Sequence, residues 1–180
     1  MLDYEKNLRE LISEIEKYND VLVTGGGKIV NENNFQSIKG YRIISNSHHL
    51  SRYKNFKNIY INFNHHNMIK DSTEYKYSTF HKQKKGWKKL IETNKKLPEI
   101  NSNKIILGAP STGCLALWVA INSNCKNIFI DGFDVLTDEN TEKITGNSIG
   151  MYTKKVPHNF KKEKYMMLEY AKKMNKNLYF

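Results

Sequence analysis

The stretch from Lys104 to Asp134, KIILGAPSTGCLALWVAINSNCKNIFIDGFD, constrains the fold more than any other, because it has the form of one complete βαβ unit. Lys104 to Leu107 is a short apolar run stopped by Gly108, Ala109 and Pro110, as a buried strand is stopped. Ser111 or Thr112 then offers an N-cap. Leu115, Leu117, Trp118, Ala120 and Ile121 follow at mixed helical spacings, and their density predicts burial on more than one side. Asn122 to Asn124 end that helix, and Asn127 to Asp131 is a second β-branched and aromatic run closed by Gly132. A parallel pair joined by a right-handed crossover is the simplest arrangement. The PSTG turn then stands at the carboxyl end of a strand and the amino end of a helix, where free N–H groups and the helix dipole favour an anion. Ordinary helix capping accounts for the same residue types.

The remainder of the chain supplies further elements of the same class. Residues 3 to 18 have an amphipathic pattern, with Leu8, Leu11, Ile12 and Ile15 near one face, and predict a helix that covers the sheet. Val21 to Thr24 is the first buried strand. The glycines that follow, Gly25, Gly26 and Gly27, permit a tight turn with close backbone approach to a ligand, although the full dinucleotide fingerprint is missing. A short helix or turn at Asn33 to Ile38 precedes a second strand, Tyr41 to Ser45, which Asn46 follows directly. Asn58 to Phe63 predicts a third strand, and the alternation in Glu74 to Phe80 a half-exposed fourth. HKQKKGWKKLIETNKKL, from His81 on, has the look of an exposed basic helix interrupted or begun at Gly86. A polar segment from Val135 to Pro157 reads as a lid or binding loop. A final helix at Asn159 to Met174 and a last strand, NLYF, close the chain.

Three motifs in this order resemble those of the eukaryotic-type sialyltransferases, glycosyltransferase family 29. PSTG with its hydrophobic helix, a cysteine and an apolar strand ending in Gly132-Phe133 is similar to the small sialyl motif, and HNFKKE, carrying His158 and Glu163, to the very small motif. VLVTGGGKIV followed by YRIISNSHHL resembles a shortened large motif. The small bacterial sialyltransferases of family 42 share the general layout. The resemblance covers roughly residues 20 to 180, and the segment from Asp71 to Asn101 matches no part of it. It implies a single α/β domain over residues 1 to 180, Rossmann-like with a mostly parallel sheet flanked by helices, a GT-A-like variant. It further implies an inverting, metal-independent transfer of sialic acid from CMP-sialic acid to a hydroxyl of a glycan or glycolipid acceptor. His158 would be the catalytic base. Gly25, Gly26, Gly27, Asn46, Ser111, Thr112, Gly113 and Tyr152 would bind the donor, with Gly132 and Glu163 supporting. Gly26 stands where the family carries an asparagine, and Cys125 lies one residue from the family's small-motif cysteine. The usual disulfide partner of that cysteine is missing, since Asp20 and Val21 occupy its place.

Composition narrows the class. A chain of 180 residues is one ordinary domain and buries about 70% of its unfolded surface, and its apolar and aromatic content is adequate for a core. The charged, amphipathic start and the lack of any long apolar run predict a soluble protein, and comparison with the membrane-anchored enzymes it resembles implies a cytoplasmic setting, with peripheral contact to an anionic membrane compatible with the net charge of +11. The two cysteines, Cys114 and Cys125, lie in or beside one predicted helix and give no disulfide framework. His48-His49 and His65-His66 have no further ligand at recognisable spacing, so no metal site and no cofactor are expected beyond the donor substrate. Two alternatives stand beside the sialyl reading: a transferase using another nucleotide-sugar, and a basic nucleic-acid-binding module built on Lys82 to Lys89 with Trp87 for stacking. The second is the less favoured.

Overall fold

The structure, a computed structural model, describes residues 3–25, 31–45, 57–62, 75–78, 88–89, 112–133 and 160–180. Along the chain these form α1 (Asp3–Ile15), β1 (Asp20–Thr24), α2 (Glu32–Phe35), β2 (Tyr41–Ser45), β3 (Lys57–Asn62), β4 (Tyr75–Ser78) and β5 (Lys88–Lys89). After them come α3 (Thr112–Asn122), β6 (Asn127–Asp131), α4 (Phe160–Lys173) and β7 (Asn177–Tyr179). The expected strand at Lys104 to Leu107, and with it the crossover to β6, lies outside the described residues.

The strands form one seven-stranded sheet in the order β5-β4-β3-β2-β1-β6-β7, and every pairing is parallel. The chain therefore builds outward from β1 to β5, returns to the other side of β1 as β6, and adds β7. Strand alternation divides the central residues between two faces. Val21 and Val23 stand level with Tyr41 and Ile43 on one side and with Ile128 and Ile130 on the other, and all six are buried beneath α1, α3 and α4. Leu22 points to the opposite face, where it packs with Phe35 of α2, Ile38 and Phe129. α1, α3 and α4 thus cover one face of the sheet, and the short α2 packs on the other, so the central β-branched strands are buried on both sides.

α3 is the central helix. Each residue from Cys114 to Ile121 is buried, so the unbroken apolar run expected to be covered on more than one side is so covered. α1 lays Leu11 and Ile15 into the same core and stops at Ile15, short of the expected Tyr18. There the Lys17 and Tyr18 N–H groups turn to the i−3 carbonyls of Glu14 and Ile15 at 3.3 and 3.2 Å, tightening the last turn. Tyr18, released from the helix, sets its ring edge-on to Tyr41 at 5.5 Å. α4 ends in a Schellman motif: Asn175 adopts φ 55°, its N–H donates to the Lys172 carbonyl at 3.0 Å, and the Lys176 N–H donates to the Ala171 carbonyl at 2.9 Å. That turn delivers the chain to β7. There Asn177 Nδ2 donates to Asn127 Oδ1 at 3.0 Å and Asn127 Nδ2 to Asp20 Oδ1 at 2.8 Å, a polar row that fixes the register of β7, β6 and β1 at their amino ends.

One expected element differs. Within the basic segment, Lys88 and Lys89 are extended and pair with Tyr77 and Ser78 as β5, not helical. A helix here would stack Lys84 on Lys88 and Lys85 on Lys89 at like-charged i,i+4 positions with Gly86 between them, and both features oppose it. A short lysine-bearing strand suits the end of a sheet, since charge discourages further pairing. Among the described residues no helix is long and apolar enough to cross a membrane.

Candidate functional site

The apolar strands β1 and β6 lie side by side in register, with Thr24 level with Asp131, so the glycines that end them, Gly25 and Gly132, meet at one edge of the sheet. The Gly25 N–H donates to the Asp131 carbonyl at 2.8 Å and extends the ladder by one bond. Approach is so close that a Cβ on Gly25 would fall 2.3 Å from the Gly132 carbonyl oxygen and 2.8 Å from the Phe133 ring. Gly132 itself turns with φ 70°, in the left-handed region, and thereby sends Phe133 across the end of β1. The ring continues to the first turn of α3, where a Cβ on Gly113 would lie 2.9 Å from its Cε1. One aromatic ring therefore joins the glycine after β1 to the glycine at the start of α3.

Asp131 is the polar centre of this corner. Its carboxylate is buried, 2% exposed, and accepts the Gly132 N–H on Oδ1 at 2.8 Å and the Asn31 N–H on Oδ2 at 3.0 Å. Together with the main-chain bond to Gly25, these contacts place one residue of β6 against both the departure of the chain from β1 and its return at Asn31.

The amino end of α4 packs beside that of α3. Glu163, in the first turn of α4, is 4% exposed and lies close enough to Cys114 for its charge to act on the thiol. Burial first, and the Glu163 charge second, push the Cys114 thiol well above its ordinary range, which disfavours the thiolate. Glu163 thus lies buried in the first turn of α4, where the helix dipole favours a carboxylate. Cys125 is likewise buried, and both cysteines are free.

Of the residues the sequence singles out, the structure brings Gly25, Gly113 and Gly132 together around Phe133, with Thr112 opening α3 and Glu163 on the adjoining helix. Gly26, Gly27, Asn46, Ser111, Tyr152 and His158 lie outside the described residues, as do both histidine pairs. In sequence, Asn46 follows the last residue of β2, and His158 stands two positions before the first residue of α4. Sequence reading treated Asp131 only as the end of a strand. The available signal was an acid closing the otherwise apolar run NIFI immediately before a glycine. Among the described residues no group of three His, Cys, Asp or Glu side chains is arranged to hold a metal ion.

The chemical capacity of the corner follows from these placements. The amino end of α3 lies beside two glycine turns, and because the first N–H groups of any helix have no i−4 carbonyl, the combination is one suited to an anionic group. No protein-family model, curated protein or solved structure matches the chain.

Proposed function

We propose that the chain is a nucleotide-sugar-dependent glycosyltransferase with a Rossmann-like, GT-A-like fold, an inverting and metal-independent sialyltransferase that takes CMP-sialic acid as donor. The observation that carries the reading is topological. The chain reverses its direction of growth across the sheet between β1 and β6, and the Gly25 and Gly132-Phe133 turns with the start of α3 all lie at that reversal, on the carboxyl side of the strands. In open α/β sheets this crevice is where nucleotides bind. The order β3-β2-β1-β6, with β4 and β5 beyond β3, supports the Rossmann-like reading. Motif order supplies the rest, since PSTG, Gly-Phe and His-x-x-x-x-Glu follow one another as in the sialyltransferases that the sequence resembles.

In this reading Thr112, Gly113 and Ser111, with the Gly25 to Gly27 turn, Asn46 and Tyr152, hold the CMP portion, and the N–H groups at the start of α3 meet its phosphate. His158 takes the proton of the acceptor hydroxyl as the oxygen attacks the anomeric carbon. The bond from that carbon to the phosphate oxygen breaks from the opposite face, and CMP leaves with the electron pair. Imidazole suits the step because it is neutral near working pH, and a position ahead of a helix amino end disfavours its charged form. The net charge of +11 draws in the anionic donor and is compatible with an acceptor presented at an anionic membrane.

The test is release of CMP from CMP-sialic acid with lactose and related galactosides as acceptors, comparing wild type with His158→Ala. Turnover by wild type, lost in the variant while CMP still binds, is the expected result. Calorimetric titration that finds no CMP binding to wild type overturns the donor assignment, and binding of a nucleoside diphosphate sugar in the same assay identifies a different transferase.

A further inference from the structure

Among the described residues the exposed large apolar side chains are not scattered. Tyr165, Met174, Tyr179 and Phe180 are between 40% and 58% exposed, and all four belong to the stretch from α4 to Phe180. β7 is an end strand of the sheet, and α4 packs beside it, since Leu178 enters the same core as Met166, Met167, Tyr170 and Ala171. The four side chains therefore surround one end of the sheet. Positive charge gathers at the same end. From Lys164 to Phe180 there are four lysines, no arginine and a single acid, Glu169. Lys172 and Lys173, in the last turn of α4, are exposed and form no ion pair among the described residues. The exposed positions of α1, in contrast, mix signs, Lys6 and Arg9 with Glu10. Tyr179 is also held in one pose: its ring stacks on Phe129 at 4.8 Å and 16°, and Phe129 is met edge-on by Phe35 at 5.2 Å. A ring so fixed loses little further freedom when a partner covers it.

We propose that this end of the sheet is the surface by which the protein docks on an anionic lipid bilayer. Tyr165, Met174, Tyr179 and Phe180 enter the headgroup boundary, where rings with an apolar body and a polar tip are favoured, and Lys172 and Lys173 meet the anionic headgroups. The side-chain chemistry favours a bilayer over two other occupants. A nucleic acid would stack on the rings but has no use for Met174, and its phosphates are matched best by the arginine fork that this stretch lacks. A second copy would bring the same unbalanced positive charge against this one. The docking surface does not depend on the donor assignment. Where both hold, it carries the transferase to a lipid-borne acceptor.

Co-sedimentation of the protein with vesicles of phosphatidylcholine, alone and mixed with phosphatidylserine, tests the surface. Binding to the mixed vesicles only, weakened by added salt, is expected. Lys172→Ala with Lys173→Ala should weaken it by roughly thirtyfold, and Tyr165→Ser, Met174→Ser and Phe180→Ser together by on the order of a hundredfold. Tyr179 is left in place so that its stack on Phe129 survives, and an unchanged urea midpoint verifies the fold of each variant. If the triple variant does not fold, Met174→Ser alone decides, with a loss of about fivefold. Lys6→Ala with Lys39→Ala removes two exposed lysines elsewhere and should change the affinity by no more than about threefold.

An equal loss in that control pair shows adhesion by net charge alone and overturns the proposal. So does wild type that stays in the supernatant, or that binds both kinds of vesicle alike. Single-stranded oligonucleotide binding lost in the same variants while vesicle binding holds would assign the surface to nucleic acid, and a dimer broken by them would assign it to a second copy; either result overturns the bilayer.

Discussion

Gly25→Ala and Gly113→Ala are the same change at two ends of one aromatic ring, and the structure predicts different outcomes for them. At Gly25 the new methyl meets main chain: the Gly132 carbonyl oxygen at 2.3 Å, and ring atoms of Phe133 at 2.8 and 3.0 Å. The two backbones must part by roughly 1 Å to reach ordinary contact, and both are held in the β1–β6 ladder, where the Gly25 N–H donates to Asp131 at 2.8 Å. Overpacking of about 2 kcal/mol and a weakened hydrogen bond of about 1 kcal/mol give a destabilisation of about 3 kcal/mol, or roughly 6–12 °C in Tm for a domain of this size. At Gly113 the nearest described atoms to the methyl belong to the ring of Phe133, at 2.9, 3.4 and 3.7 Å. A half-buried side chain can rotate away, and alanine gains up to about 1 kcal/mol over glycine in a helix, so Gly113→Ala stays within about 1 kcal/mol of wild type. Urea unfolding at equilibrium measures both, with Phe133→Ala added to each. Trimming the ring relieves Gly113→Ala by about 1 kcal/mol but leaves most of the Gly25→Ala cost, because the carbonyl contact survives. A Gly25→Ala cost below about 1 kcal/mol, or its full relief by Phe133→Ala, refutes the reasoning.

Two further predictions concern the frame around the corner. The Cys114 thiol is pushed well above its ordinary 9.0, by burial and then by the Glu163 charge, so the folded protein keeps a proton that the unfolded chain releases. This contribution to stability is complete below about pH 9 and is lost as the pH rises further, so Cys114→Ala should flatten the fall in urea midpoint between about pH 8 and pH 10.5. An unchanged slope contradicts it. The Lys176 amine donates to the Ser123 carbonyl, and to the Cys125 carbonyl at 2.9 Å, where α3 gives way to β6. Lys176→Met should cost about 1–2 kcal/mol by the same assay, and a variant as stable as wild type would show that water replaces the amine without loss.

Much of this architecture is legible in the sequence because its signals are local. The period of Leu8, Leu11 and Ile15 gives α1, β-branched runs give β1, β2 and β6, and the density of CLALWVAI gives a helix covered on more than one side, each stated by neighbouring residues and found so. The corner is legible only in part. Gly25 and Gly132 can be marked as turns, but their contact depends on β1 and β6 being neighbours in one register, which no local pattern states. Asp131 is missed for the same reason, since its partner Asn31 is fixed by the topology of the whole sheet. The basic segment fails differently: its composition suits an exposed helix, but its spacing stacks lysine on lysine, and the described pair is extended.

The glycines that first drew attention to a nucleotide also have a purely mechanical explanation, and the two accounts separate at one position. Gly25 is small because the Gly132 carbonyl leaves no room for a Cβ, so packing alone already accounts for its identity. Gly113 stands on the first turn of a helix whose N–H groups are the proposed phosphate site, and among the described residues the atoms nearest a Cβ there are those of the Phe133 ring, a movable side chain. If packing alone keeps Gly113 small, Gly113→Ala combined with Phe133→Ala should recover whatever CMP affinity the Phe133→Ala protein has by itself. If the approach of a phosphate keeps it small, the double variant stays folded but binds CMP more weakly than Phe133→Ala alone, by on the order of tenfold for one lost charge-assisted contact. The second result is expected. Equal affinities would remove Gly113 from the donor site, leaving the strand reversal between β1 and β6 as the sole structural support for a nucleotide there.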